Sequence, residues 1–197
     1  MSSTCIALTA AALHPNISAQ SITALSLTDY CSLESPLDPA SLPFVRSLAV
    51  SLDYHVPFTT ISPLLPQLTS LTLSNGNPAS IAQCVSLSTS LKILSLRLHA
   101  IGKLNLDTQA IIRDKIEELR IIIDGISCSD PQNALSAIVN GSRVIKKVIV
   151  DGSKSSSYGA TMTRTMKTLV PVCKKAKVEL WKENFKAGNG KVDVDSE

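Results

Sequence analysis

Asp151-Gly152-Ser153-Lys154 is the stretch whose residue types come nearest to a chemical site. A small glycine-containing turn with a lysine has the composition of a phosphate-gripping loop. It lacks the spacing G-x-x-x-x-G-K-[ST], however, and follows an apolar strand pattern as any turn would, so it reads as a turn. Neither G-x-S-x-G nor G-x-G-x-x-G occurs. His14, His55 and His99 lie far apart without metal-ligand spacing and read as turn or surface residues. Cys5, Cys31, Cys84, Cys128 and Cys173 are odd in number and contain no C-x-x-C. That argues against both a disulfide framework and a zinc site, and leaves buried thiols in a reducing compartment. Asn16-Ile17-Ser18 and Asn140-Gly141-Ser142 match the glycosylation pattern by chance. No paired acid and base stand out. The expectation is a protein that is not an enzyme, with no catalytic residues, no metal and no cofactor.

Composition bounds the rest. The 197 residues are 44% hydrophobic but only 4% aromatic. The core must therefore be built from Leu, Ile, Val and Ala, which suits a narrow repetitive interior. No apolar run approaches the roughly 18 residues of a membrane span, and the mildly apolar Cys5–Leu13 has no basic residues before it, unlike a signal peptide. The net charge of +3 hides an asymmetry. Residues 1–142 carry 7 basic and 10 acidic side chains, residues 143–191 carry 12 basic and 3 acidic, and residues 192–197 carry three acids. A basic final third attracts anions, although such charge also serves simply as a solvated face.

The elements that must position any surface announce themselves by a recurring spacing, apolar-x-x-apolar-x-apolar. It appears as Ile22/Leu25/Leu27, Val45/Leu48/Val50, Leu68/Leu71/Leu73, Leu91/Leu94/Leu96, Ile116/Leu119/Ile121 and Ile145/Val148/Val150, with a weak seventh copy at Cys173/Ala176/Val178. First positions are 23, 23, 23, 25, 29 and 28 residues apart. The last two residues of each copy lie two apart and share a face, as in a short strand. One such strand cannot bury its apolar row alone, but stacked copies can. Between copies, Asp38-Pro39, Asn77-Pro78 and Asp130-Pro131 each place a capping side chain before a helix-starting proline. Leu135/Ile138/Val139 and Met162/Met166/Leu169/Val170/Cys173 form helical stripes. Tyr54–Gln67, with Pro57, Pro63 and Pro66, reads as an irregular connection. Long return segments imply parallel strands.

These repeats resemble leucine-rich repeats over roughly residues 15–186. The first six positions of the family pattern L-x-x-L-x-L-x-x-N/C-x-L match six times; the asparagine position holds Tyr30, Asp53, Gly76, His99, Asp124 and Ser153 instead. The array is similar to the repeat half of F-box/leucine-rich-repeat proteins, with no F-box visible before Ile22 and only a lone Leu42-Pro43. The resemblance implies an α/β solenoid: a short horseshoe with one parallel sheet and helices or irregular turns on the convex side. It spans residues 1–191 as one domain of six to seven repeats, with strands starting near 22, 45, 68, 91, 116, 145 and 173. Residues 192–197 follow as an acidic disordered tail. The resemblance also implies a protein-interaction module, of the kind that selects substrates for a ubiquitin ligase.

In leucine-rich repeats the non-core strand positions face the concave side. The first three copies put only small residues there: Ala24, Ser26, Thr28, Ser47, Ala49, Ser51, Ser70, Thr72 and Ser74. Later copies put Ile93, Ser95, Arg97, Glu118, Arg120, Ile122, Lys147, Ile149 and Asp151 there. The partner-binding set expected from these is Ile93, Arg97, Glu118, Arg120, Ile122, Lys147 and Ile149, since Arg beside exposed aliphatic residues suits a protein contact. Trp181 and Phe185 are expected to seal the open end of the core. The expected partner is a protein met by a monomer in the cytoplasm, or alternatively the nucleus, with no membrane. The second reading is anion or nucleic-acid binding through the basic final third, which is poorly supplied with aromatics for base stacking.

Overall fold

Each of the six clear repeat copies forms a strand, which begins at its first apolar residue in the first copy and two residues after it in the other five. The computed structural model describes residues 4–8, 22–27, 36–52, 57–74, 76–123, 131–152, 159–185 and 188–194. Contacts group the chain into two compact units, Met1–Leu91 and Lys92–Glu197. Mostly parallel strands alternate with helices from the strand at Ser47–Ser51 onward, which makes the fold α/β.

The first unit holds strands β1 (Thr4–Leu8), β2 (Ile22–Leu27), β3 (Ser47–Ser51) and β4 (Ser70–Ser74), paired in parallel in sequence order. The sequence pattern did not anticipate β1. Its returns are short. Asp38 does not start a helix: its carboxylate accepts from the N–H groups of Ala40 (2.9 Å) and Ser41 (3.2 Å) and closes a turn. The three-proline segment is irregular as expected, with one helical turn α1 (Phe58–Ile61) followed by a 3-10 stretch Ser62–Gln67. Helix α2 (Pro78–Leu87) is capped by Asn77, which accepts from the Ser80 N–H at 2.8 Å. Gly76 precedes that cap at φ +117°, where a Cβ would lie 2.9 Å from that of Leu52.

The second unit holds β5 (Ile93–Arg97), β6 (Glu118–Ile122), β7 (Lys147–Asp151) and β8 (Glu179–Glu183) in parallel, and β9 (Gly190–Lys191) antiparallel to β8. Its returns are α3 (Leu98–Ile101), α4 (Leu106–Lys115), α5 (Gln132–Gly141) and α6 (Gly159–Ala176). Asn105 caps α4 through the Thr108 N–H at 2.8 Å, with no proline after it. Asp130 lies outside the described residues. Each strand is hooked to the one before it: the N–H groups of Glu117, Lys146 and Glu179 donate to the carbonyls of Lys92, Glu117 and Lys146 respectively.

The repeat positions are the core. All three apolar positions of all six copies are buried, none more than 5% exposed. Leu25, Leu48 and Leu71 stand in register in the first unit; Leu94, Leu119 and Val148 do so in the second. Cys84 and Cys173 are buried and free, and burial pushes both thiols up to about 12.

The seventh copy is a correction. Cys173 and Ala176 belong to α6, and the strand expected near 173 starts at Glu179, with Leu180 in register with Val148. The helix ends without a glycine. Lys177 adopts φ +57°, its N–H donates to the Lys174 carbonyl, and the Val178 N–H donates to that of Cys173. This is the Schellman arrangement, with lysine where glycine is usual. Replacing Lys177 with Gly removes the left-handed penalty at some cost in chain entropy. The net expectation is a gain of about 0.5–1 kcal/mol in a urea titration; a loss would show that the lysine side chain contributes more than its backbone strain costs.

Candidate functional site

Alternation along each strand sends every second residue to the face opposite the core. On β2–β4 that face carries Ala24, Ser26, Ser47, Ala49, Ser51, Ser70, Thr72 and Ser74, all uncharged, with Ser51 buried and the others partly exposed. Thr28 lies outside the described residues. Nothing on this face anchors a partner strongly.

On β5–β8 the same face is chemically rich. Parallel in-register pairing sets three rows across the strands: Ile93, Glu118, Lys147, Glu179; Ser95, Arg120, Ile149, Trp181; Arg97, Ile122, Asp151, Glu183. Neighbours in a row lie about 4.8 Å apart, so their charges interact. The Arg120 guanidinium donates to Glu183 Oε2 at 2.6 Å and lies 3.7 Å from Asp151 Oδ2. Asn184 Nδ2 donates to the other Asp151 oxygen at 2.8 Å. Lys147 Nζ sits 3.5 Å from Glu118 and 4.8 Å over the Trp181 ring centroid. Trp181 Nε1 donates to Glu179 (3.1 Å), which also accepts from Lys191 Nζ (2.7 Å). The Lys191 ammonium first, then the indole N–H, holds the Glu179 carboxyl below its usual range.

Five of the seven expected partner residues stand partly exposed with roles that leave surface to offer: Ile93, Arg97, Glu118, Ile122 and Lys147. Of the other two, Ile149 needs correction: it is 0% exposed, so it supports the face and offers no surface. Arg120, about as exposed as Glu118 and Lys147, is tied to two carboxylates. Trp181 also changes place: it lies on this outer face beside Ile149, not over the end of the core, where Leu180 is the buried β8 residue.

The residues missed were Glu179, Trp181, Glu183, Asn184 and Lys191. One displaced alignment hid them. With Leu180 aligned to Val148, residues 179, 181 and 183 fall at outward positions and complete the rows.

Among the described residues, no group of three or more His, Cys, Asp or Glu side chains is arranged to hold a metal ion, and no helix is long and apolar enough to cross a membrane. No family model, curated protein or solved structure matches the chain.

Proposed function

We propose that this chain is a non-enzymatic protein-interaction module of the leucine-rich-repeat kind, which recognises a protein partner through the outer face of β5–β8. The observation that carries this reading is the fixed charge network around partly exposed apolar residues. Ile93, Ile122 and Trp181 stand among charges already held in place by Arg120, Lys147 and Glu179. A partner meeting this face orders few flexible side chains, which lowers the entropic cost of association. Its apolar residues fill the role of contact core and its ion pairs that of a polar rim. The repeat spacing supports the leucine-rich-repeat assignment. By analogy with the F-box relatives that the spacing resembles, the partner is a substrate presented for ubiquitin transfer; that step rests on analogy of fold.

The test is capture from cell extract by the full chain, compared with Ile122→Asp. Ile122 is half-buried and away from the core, so the variant keeps the fold. It puts a carboxylate beside Asp151 and into the apolar part of the face. The captured partner should weaken at least tenfold, about 1.4 kcal/mol. Undiminished capture with an unchanged melting curve rejects this face.

A further inference from the structure

We propose that the exposed side of α6 binds the phosphate backbone of duplex nucleic acid without reading its sequence. This surface is separate from the β5–β8 face, and the inference does not depend on that reading. Helix α6 runs 18 residues without an acidic one. Its exposed cations Arg164, Lys167, Lys174 and Lys175 fall within an arc of about 100° around the axis. Thr165, Leu169 and Cys173 take the opposite, buried arc. Helix α5, packed against α6, has no charged residue at all. Neither helix carries a carboxylate; Lys174 shares a cleft with Glu179 and Asp193 of the following segment, so Arg164, Lys167 and Lys175 carry the stripe. The cationic stripe is about 16 Å long, roughly five phosphate steps of one duplex strand.

Beside the stripe lies an open cleft of about 490 Å³ lined by Gln132, Thr163, Arg164, Lys167 and Thr168. An amide, two hydroxyls, a guanidinium and an ammonium are the groups that position proteins on phosphate oxygens. The other polyanions fit less well. An acidic protein segment needs a desolvated apolar or aromatic anchor for affinity, and between these cations the stripe exposes only Pro171. An anionic membrane is gripped by large apolar side chains on the presented face, whereas Leu169 is turned inward and buried. Single strands are held by aromatic platforms, and α6 contains no aromatic residue. A duplex backbone needs none of these, because its binding is driven by counterion release.

The experiment is fluorescence anisotropy of a labelled mixed-sequence duplex of about 20 base pairs with the full chain, between about 50 and 200 mM salt. The logarithm of the association constant should fall linearly against the logarithm of salt, with a slope of about −3 to −4. The variant R164Q/K167Q/K175Q should flatten that slope by roughly 3 and weaken binding at least tenfold at low salt. R164K/K167R/K175R, which keeps every charge, should restore it. Lys103→Gln, on an exposed turn of the same unit, should change nothing. Circular dichroism of each variant checks the fold. Several results overturn the proposal: no binding at low salt, an unchanged slope in the neutralised variant, tighter binding of a single strand of equal charge, or capture of polyglutamate or phosphatidylserine vesicles in place of the duplex.

Discussion

Leu119→Ala should lower the free energy of unfolding by about 2–5 kcal/mol, the range for truncating a fully buried leucine. Leu119 stands in register between Leu94 and Val148, and all three are 0% exposed. The spread in that range reflects how far the surroundings collapse into the space left behind. Here collapse is restrained on both sides. Backbone hydrogen bonds fix β6 to β5 and β7, so neither neighbouring strand can move inward without breaking its ladder. The upper half of the range is therefore expected. A urea titration of wild type, Leu119→Ala and Lys103→Ala measures it, the last being a surface change that should stay within about 0.5 kcal/mol. A midpoint shift no larger for Leu119 than for Lys103 would mean that the apolar register is not the source of stability.

The ease of reading this core from the sequence has a physical reason. A parallel in-register stack repeats one environment, so Leu25, Leu48 and Leu71 meet the same neighbours and the same residue type serves each time. Periodicity then carries both the secondary structure and the pairing. It fails where the repeat changes its return segment. Before β8 the return is an 18-residue helix whose buried stripe ends on Cys173, and the spacing from Cys173 to Val178 imitates a strand copy by coincidence. The helix stop at Lys177 offers no composition cue, because the backbone takes a left-handed turn at a residue that normally avoids it. Strand β9, two residues long, is below what alternation can register.

The candidate surface was legible only in its first half. Ile93, Arg97, Glu118, Ile122 and Lys147 follow from alternation alone. The fate of Arg120 and Ile149 does not, because it is decided by residues 31 to 63 positions further along: Asp151, Trp181 and Glu183. Alternation says which side of a sheet a side chain leaves from. It does not say whether a side chain is then covered, and Ile149, in register between Arg120 and Trp181, is fully buried.

The ion pairs of Arg120 make Arg120→Glu a test of structure before it is a test of binding. The reversal removes the donor to Glu183 and places a third carboxylate beside Glu183 and Asp151. Asp151 is 9% exposed, so its charge is left in a poorly solvated place, the circumstance in which removing one partner of an ion pair is costly. A fully buried pair would lose roughly 3–5 kcal/mol. The Arg120 and Glu183 side chains are 28% and 33% exposed, and solvent screening brings the expected loss to roughly 2–4 kcal/mol at neutral pH. Arg120→Gln, which removes the cation without adding a charge, should lose less. Thermal melts of wild type and both variants at neutral pH measure all of this. Equal stability of Arg120→Glu and wild type at neutral pH would show that the cluster is a solvated charge ladder that does not hold the face together.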